Sequence, residues 1–163
     1  MRFAVRALSV GVAGVVLVSG APIAQATTNS DTIVLFMHRA ERQVVDLGET
    51  GPSIGDIAFA WGSVSKAPTS KSVGTYTFRG LTVRTDIPGG VEDRDVLLQY
   101  TLSGGTLLIQ QVIHVSLGVT PVRTDAYAII GGTGDFSGAR GSAKVKAVTP
   151  SEYKVTFTFE SNR

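Results

Sequence analysis

Strict alternation of apolar and polar side chains near the end of the chain constrains its fold most strongly. Residues 152–160 read EYKVTFTFE, with an aromatic or branched apolar residue at every second position. A period of two carried by such residues is typical of a strand with one buried face. Residues 142–148 (SAKVKAV) alternate in the same way. Because no stretch after residue 30 shows a sustained apolar period of 3.6 residues, the sequence predicts an all-β protein.

Eight extended segments of this kind follow residue 30, separated by Gly, Pro, Ser and Asp. They cover residues 33–45, 56–65, 73–85, 95–102, 106–115, 125–130, 142–148 and 152–160. Residues 103–105 (SGG) and 149–151 (TPS) have the composition of hairpin turns. Short strands joined by tight turns form either a sandwich or a closed barrel, and periodicity alone does not choose between them.

The first 26 residues have the pattern of a signal peptide. Arg2 and Arg6 precede an apolar run over residues 7–18. Residues 24–26 (AQA) place small side chains at the positions that signal peptidase recognises. We expect cleavage after residue 26, secretion to the extracellular side, and one domain over residues 27–163. A retained anchor is the alternative, but the run is shorter than the roughly 20 residues that cross a bilayer. No stable membrane insertion is therefore expected after the signal is removed.

Charge and cysteine content exclude several kinds of partner. The chain has 15 Lys and Arg residues, 13 Asp and Glu residues and no cysteine. Arg2 and Arg6 leave with the signal peptide, so 13 basic and 13 acidic residues remain. This balance, without a basic cluster, gives no reason to expect nucleic acid as a partner. His38 and His114 are far apart and have no cysteine to join them, so we expect neither a metal nor a cofactor.

A glycine-rich segment over residues 128–141, AIIGGTGDFSGARG, resembles the signature of the dirigent and allene oxide cyclase families. In those families a strand runs into a Gly-Gly-Thr/Ser-Gly-x-Phe turn, and an Ala-Arg-Gly step opens the next strand. Residues 55–56 (GD), 71–80 (KSVGTYTFRG) and 104–110 (GGTLLIQ) are similar to other motifs of these families, in the same order. The resemblance implies an eight-stranded antiparallel β-barrel of calycin type around an apolar pocket, assembled as a homo-oligomer, either a trimer or a dimer.

The chain departs from the allene oxide cyclases at their catalytic positions. The resemblance places His38 and Ala40 where that family has a glutamate and an asparagine on the first strand. It places Gly62 and Gly80 where the family has an asparagine and a cysteine. Because none of the four is retained, true allene oxide cyclase activity is not expected.

Two polar residues are the candidates for catalysis in the predicted pocket. His38 is expected to face the lumen, where an imidazole can transfer a proton near neutral pH. The alternative for His38 is a half-buried histidine bonded to a neighbouring strand. Tyr100 is the second candidate. The residues expected to contact a ligand are Phe36, Trp61, Tyr76, Phe78, Gln111 and Tyr127. Aromatic residues on strands also serve as simple core packing, so each of these has that alternative.

Two further groups of polar residues bear on the site. Gln110 and Gln111 are adjacent on one predicted strand, so one of them must face inward and needs hydrogen-bond partners there. Glu92, Asp93 and Asp95 lack the closing glutamate of a calcium loop, and we expect them to form a solvated turn.

These features predict a secreted barrel that binds a small hydrophobic molecule and guides its cyclisation or isomerisation without a cofactor. An apolar pocket would do so by holding a flexible intermediate in one reactive shape. The alternative is a non-catalytic ligand-binding or interaction barrel whose interior is filled by its own side chains, and whether the protein is an enzyme stays open at this point.

Overall fold

The computed structural model describes residues 31–116 and 124–160, which form a closed antiparallel barrel. Its eight strands are β1 (Thr32–Val45), β2 (Ile57–Ser65), β3 (Ser72–Ile87), β4 (Val91–Leu102), β5 (Gly105–Ser116), β6 (Thr124–Gly132), β7 (Gly141–Thr149) and β8 (Glu152–Phe159). Each strand pairs with the next, and β1 closes the cylinder by pairing with β8. The predicted all-β, eight-stranded barrel is therefore confirmed over the sandwich. The predicted signal peptide lies outside the described residues.

The start of β4 differs from the sequence-based prediction. The strand begins at Val91, so Glu92 and Asp93 belong to it, and the expectation of a solvated turn there is wrong. Both residues are buried, with 1% of Glu92 and 8% of Asp93 exposed. They are tolerated because each has a polar partner: Glu92 pairs with the guanidinium of Arg94, and the Asp93 carboxylate contacts Nδ1 of His114 on β5. The His114 side chain itself is exposed.

The inner face of the barrel carries one continuous apolar core to which every strand contributes. Residues at alternate positions supply it, as the pleat of a strand requires. The fully buried members include Tyr100, Leu107, Ile109, Val155 and Phe157. The ring of Tyr100 meets the ring of Phe157 edge to face, with centroids 5.0 Å apart. The centre of the lumen is thus filled by the protein's own side chains.

A bulge in β1 changes which residues face inward. Arg39 pairs with Gly62 of β2, but Glu41 pairs with Trp61, so Ala40 is an extra residue on β1. The bulge brings the backbone of β1 close to that of β2. A Cβ atom at Gly62 would overlap the carbonyl oxygen of His38. A side chain at position 62, such as the asparagine of the allene oxide cyclases, is sterically excluded.

One end of the barrel, here called the glycine end, carries the β2–β3, β4–β5 and β6–β7 connections. The β6–β7 connection contains a single 3-10 turn, Gly134–Phe136, whose Phe136 packs against the core. Its backbone lies directly on the β4–β5 hairpin: Asp135 N donates to Gly104 O at 2.8 Å, and the Thr106 and Thr133 hydroxyls are 2.7 Å apart. Gly134 has φ +60° and its Cβ position is occupied by Gly104 O, so only glycine fits. The segment that carries the family resemblance is therefore a closure of the barrel.

The opposite end, here called the polar end, carries the β1–β2, β3–β4 and β7–β8 connections. Asp56 organises the first of these, because its carboxylate accepts hydrogen bonds from Leu47 N at 2.9 Å and Ser53 N at 2.8 Å. These two backbone donors lower the pKa of Asp56. Within the described ranges, the structure has no helix long and apolar enough to cross a membrane.

Candidate binding site in the barrel interior

Four tyrosines project into the lumen from four different strands. They are Tyr76 on β3, Tyr100 on β4, Tyr127 on β6 and Tyr153 on β8. The rings of Tyr76 and Tyr100 have centroids 6.5 Å apart. Tyr76, Tyr100 and Tyr127 are 5% exposed or less. The period of two puts all four on the inner face, so they form one group of phenols surrounded by apolar side chains.

Burial keeps the phenols of Tyr76 and Tyr100 protonated. It raises the pKa of Tyr76 to about 12, with a further contribution from the neighbouring Tyr153 and an opposing one from Arg39. Burial also raises the pKa of Tyr100, with smaller contributions from Tyr127 and Tyr76. At neutral pH the site therefore offers O–H donors and no phenolate.

The hydroxyl of Tyr100 has an unusually weak partner. It donates to the sulfur of Met37 at 3.2 Å, deep in the core. A thioether is a poor hydrogen-bond acceptor, and an oxygen acceptor would bind the same proton more strongly. The Tyr100 hydroxyl is thus a buried donor that is bonded to a weak acceptor.

On the inner face toward the polar end, Gln111 of β5 is exposed, whereas Tyr127 of β6 is only 5% exposed. Toward the polar end, the last pair between these strands in the described ranges joins Gln110 to Ala128. The next residue, Gln111, lies on the inner face because it pairs with the inward Val96, yet it is exposed. Tyr127 lies at the same place on β6. We call this part of the wall the lateral mouth, defined by Gln111, Ile113 and Tyr127. Gln110 points outward and binds the carboxylate of Asp95 at 2.9 Å.

A buried ion pair lies next to the lateral mouth on β4. Arg94 pairs with Ile113 in the β4–β5 ladder, and its Nη2 contacts the Oε1 of Glu92. The second carboxylate oxygen of Glu92 accepts from Thr82 Oγ1 at 3.3 Å. Two atoms of this group, Arg94 Nε and Glu92 Oε1, make no aligned hydrogen bond with any part of the chain that the structure describes. The pair is therefore neutralised in charge but incompletely satisfied in hydrogen bonding.

His38 does not lie in the lumen, and the prediction that it faces inward is wrong. Leu35 and Met37 hold the inner face of β1, so His38 points to the outer wall. There its Nε2 lies 2.7 Å from Ser65 Oγ and its Nδ1 lies 3.9 Å from Glu152 Oε2. Ser65 is 1% exposed and its hydroxyl also bonds to Ala67 O, so no substrate can approach this serine. The arrangement joins neighbouring strands, which is the alternative considered for this histidine.

Two of the six predicted ligand contacts also face outward. Phe36 shares the outer face of β1 with His38, and Trp61 is 39% exposed on the outer face of β2. A depression of about 370 Å³ lies beside Trp61 on that wall. Its lining consists of Gln43, Phe59, Ala60, Trp61, Thr77 and Phe78. The remaining predicted contacts, Tyr76, Phe78, Gln111 and Tyr127, lie on the inner face, together with Tyr100.

Sequence reasoning missed Arg94 and Glu92 as site residues. The signal was present: opposite charges two residues apart on one strand share a face, and that face continues into Val96, Leu98 and Tyr100. No group of three or more metal-ligating side chains occurs among the residues that the structure describes.

The fold of this barrel is that of the dirigent and cyclase-like proteins. No protein-family model matches the chain, and no curated protein sequence does so either. Solved structures match it over most of its length. A pyocyanin demethylase superposes with a TM-score of 0.66 at 21% identity, over 79% of this chain and 99% of that one.

Two further matches connect the fold to small-molecule chemistry. The Diels Alderase AbmU from Streptomyces koyangensis gives a TM-score of 0.63 at 16% identity, and the match covers 80% of this chain and 64% of that one. The pterocarpan synthase dirigent protein GePTS1 gives 0.54 at 18% identity, over 88% and 99% of the two chains. The resemblance seen in the sequence therefore predicts the correct fold.

Proposed function

We propose that this barrel binds a small, largely apolar molecule through the lateral mouth and guides its cyclisation or isomerisation without a cofactor. The observation that carries the proposal is the buried Tyr100 hydroxyl, whose only acceptor within residues 31–116 and 124–160 is the Met37 sulfur. A ligand carbonyl or phenol oxygen would take this hydrogen bond in place of the sulfur. In an apolar interior such a bond is stronger than in water.

The reaction needs few protein groups. An intramolecular cycloaddition or isomerisation conserves all atoms of the substrate, so the protein has only to hold one conformer and polarise one oxygen. Tyr100 supplies the donor, while Tyr76, Phe78, Gln111 and Tyr127 shape the space around the substrate. His38 has no part in this mechanism because it lies on the outer wall. A Diels Alderase and a dirigent protein with the same fold support this class of activity.

A carrier without catalysis is the second candidate, and one observation favours it. The centre of the lumen is filled, with Tyr100 and Phe157 fully buried. In a carrier the ligand would occupy only the region next to the lateral mouth.

Binding and catalysis are tested with two probes. Prodan, a neutral fluorescent naphthyl ketone, reports an apolar site by a blue shift of its emission. An achiral triene ending in an enone tests whether the protein controls the conformation in which the substrate reacts. Its spontaneous cycloaddition gives a racemate, so an excess of one enantiomer comes from the protein. We expect the protein to give one enantiomer in excess, and Tyr100→Phe to slow the protein-dependent reaction about tenfold, the equivalent of one hydrogen bond. Thr101→Val, on the exposed outer face of the same strand, is the control.

The outcomes separate the two candidates. A racemic product formed at the uncatalysed rate, from a triene that displaces prodan, establishes the carrier. If neither prodan nor the triene binds, both candidates are rejected.

We also propose that the protein acts outside the cytoplasm. The proposal depends on Arg2, Arg6 and the AQA segment at residues 24–26. The intact mass of the protein recovered from the culture medium tests it, and we expect a chain that begins at Thr27. Recovery of the uncleaved chain from the cytoplasm alone would reject it.

A further inference from the structure

Arg94 carries a buried hydrogen-bond donor that the protein leaves unused. Its Nε has no acceptor among the residues that the structure describes, although Arg94 is only 9% exposed. Buried polar groups in folded proteins almost always have partners, and an unpartnered one calls for a ligand or a bound water. The contact with Glu92 holds the guanidinium, so the direction of the Nε–H bond is set before any ligand binds.

The charges around Arg94 determine which acceptor would fit. Glu92 already neutralises the guanidinium, and Asp56 lies near enough to feel its charge. A ligand carboxylate would therefore meet two carboxylates for one guanidinium, and like charges repel. A neutral carbonyl oxygen accepts the Nε–H bond without that repulsion. It also needs no counterion when it leaves water.

Arg94 lies on the strand next to the lateral mouth. Arg94 pairs with Ile113, and Val96 on the same face pairs with the exposed Gln111. Residues paired across two strands have Cβ atoms about 5 Å apart, so the Cβ of Arg94 lies beside that of Ile113 in the lateral mouth. The unused donor and the opening in the wall therefore belong to the same part of the interior.

We propose that Arg94 Nε is a recognition subsite for a neutral carbonyl oxygen at one end of an otherwise apolar ligand. Glu92 holds the guanidinium in place, and Thr82 holds Glu92 through its hydroxyl. This inference rests on the proposed function and adds the chemical class of the ligand. Ketones, lactones and amides are accepted, whereas hydrocarbons and carboxylates of the same shape bind more weakly.

Three naphthalenes of nearly equal shape test the subsite: 2-ethylnaphthalene, 2-acetylnaphthalene and 2-naphthoate. Their dissociation constants are measured by fluorescence titration of the full chain. We expect 2-acetylnaphthalene to bind about tenfold more tightly than 2-ethylnaphthalene, the size of one hydrogen bond. We expect 2-naphthoate to bind no more tightly than 2-ethylnaphthalene.

Arg94→Lys isolates the Nε donor. Lysine keeps a positive charge beside Glu92 but has no nitrogen at the Nε position. The tenfold preference should disappear, while the affinity for 2-ethylnaphthalene stays within twofold of the original. If Arg94→Lys does not fold, Glu92→Leu/Arg94→Met gives the same readout without a buried charge.

Each result decides a different question. Equal binding of the ethyl and acetyl compounds by the unmodified protein overturns the subsite and indicates a bound water at Nε. A preference that survives in the variants assigns the donor to another residue. If none of the three compounds binds and prodan does not bind, the proposed function itself fails.

Discussion

The two ends of the barrel are held by different kinds of interaction. At the glycine end, backbone atoms of the β6–β7 turn lie against the β4–β5 hairpin so closely that Gly134 has no room for a side chain. At the polar end, Glu92 and Arg94 are buried with hydrogen-bonding capacity left over. The recognisable glycine-rich motif therefore specifies the closure of the barrel. Glu92 and Arg94, at the opposite end, belong to no motif of the family.

The largest effect is expected at the polar end, from breaking the ion pair. Arg94→Met leaves Glu92 buried and unpaired, which costs about 3–5 kcal/mol of stability. Glu92→Leu/Arg94→Met removes both charges and should unfold at nearly the same urea concentration as the unmodified protein. Equal urea midpoints for the single variant and the unmodified protein would show that Glu92 reaches water.

A somewhat smaller effect is expected at the glycine end. Gly134→Ala places a Cβ atom on Gly104 O and keeps a left-handed φ, so we expect a loss of about 3 kcal/mol. Gly138→Ala is a matched control, because Gly138 has φ +74° and no atom within 4 Å of its Cβ position. Gly138→Ala should lose only the free energy that a non-glycine residue costs at a positive φ, about 1 kcal/mol. Equal losses in the two variants would show that the contact with the hairpin is unimportant.

Between the ends, Tyr100→Phe should change stability by less than about 1 kcal/mol, since the lost hydrogen bond goes to a thioether. Thermal unfolding in the absence of ligand measures this. A loss of stability above about 2 kcal/mol would mean that the Tyr100 hydroxyl stabilises the fold strongly and is not available to a ligand.

The smallest effect concerns pH. Because burial raises the pKa of Tyr76 to about 12, the folded protein keeps its proton while an unfolded chain loses it near pH 10. This contribution to stability is complete below pH 10 and is lost as the pH rises toward 12. The free energy of unfolding of Tyr76→Phe should therefore fall less steeply with pH over that range. Unfolding followed by circular dichroism measures this. Identical alkaline profiles would show that Tyr76 ionises freely in the folded state.

The fold was largely predictable from sequence, and the reason is visible in β8. Its period of two puts Val155 and Phe157 in the core and Lys154 outside, and no other arrangement buries those side chains. The start of β4 was harder, because charged residues usually indicate a turn. Glu92 and Asp93 are accommodated in a strand by the side chains that they contact, Arg94 on the same strand and His114 on the neighbouring one.

The site was less predictable, for two physical reasons. In β1 both faces are apolar, with Phe36 on one and Leu35 on the other, so periodicity did not settle where His38 points. The bulge at Ala40 then reverses the alternation, which no local pattern signals. In β2 the large Trp61 faces outward and the small Ala60 inward, because Phe78 on the adjacent strand already fills that part of the lumen.

The pairing that closes the barrel has a practical consequence. Phe159 N donates to Asp31 O at 2.9 Å, so both extremities of the described chain leave from the glycine end, side by side. A fluorescent protein or an affinity tag fused at either extremity would extend away from the lateral mouth. A short linker from residue 160 to residue 31 would also permit circular permutation, with new extremities placed in another surface turn.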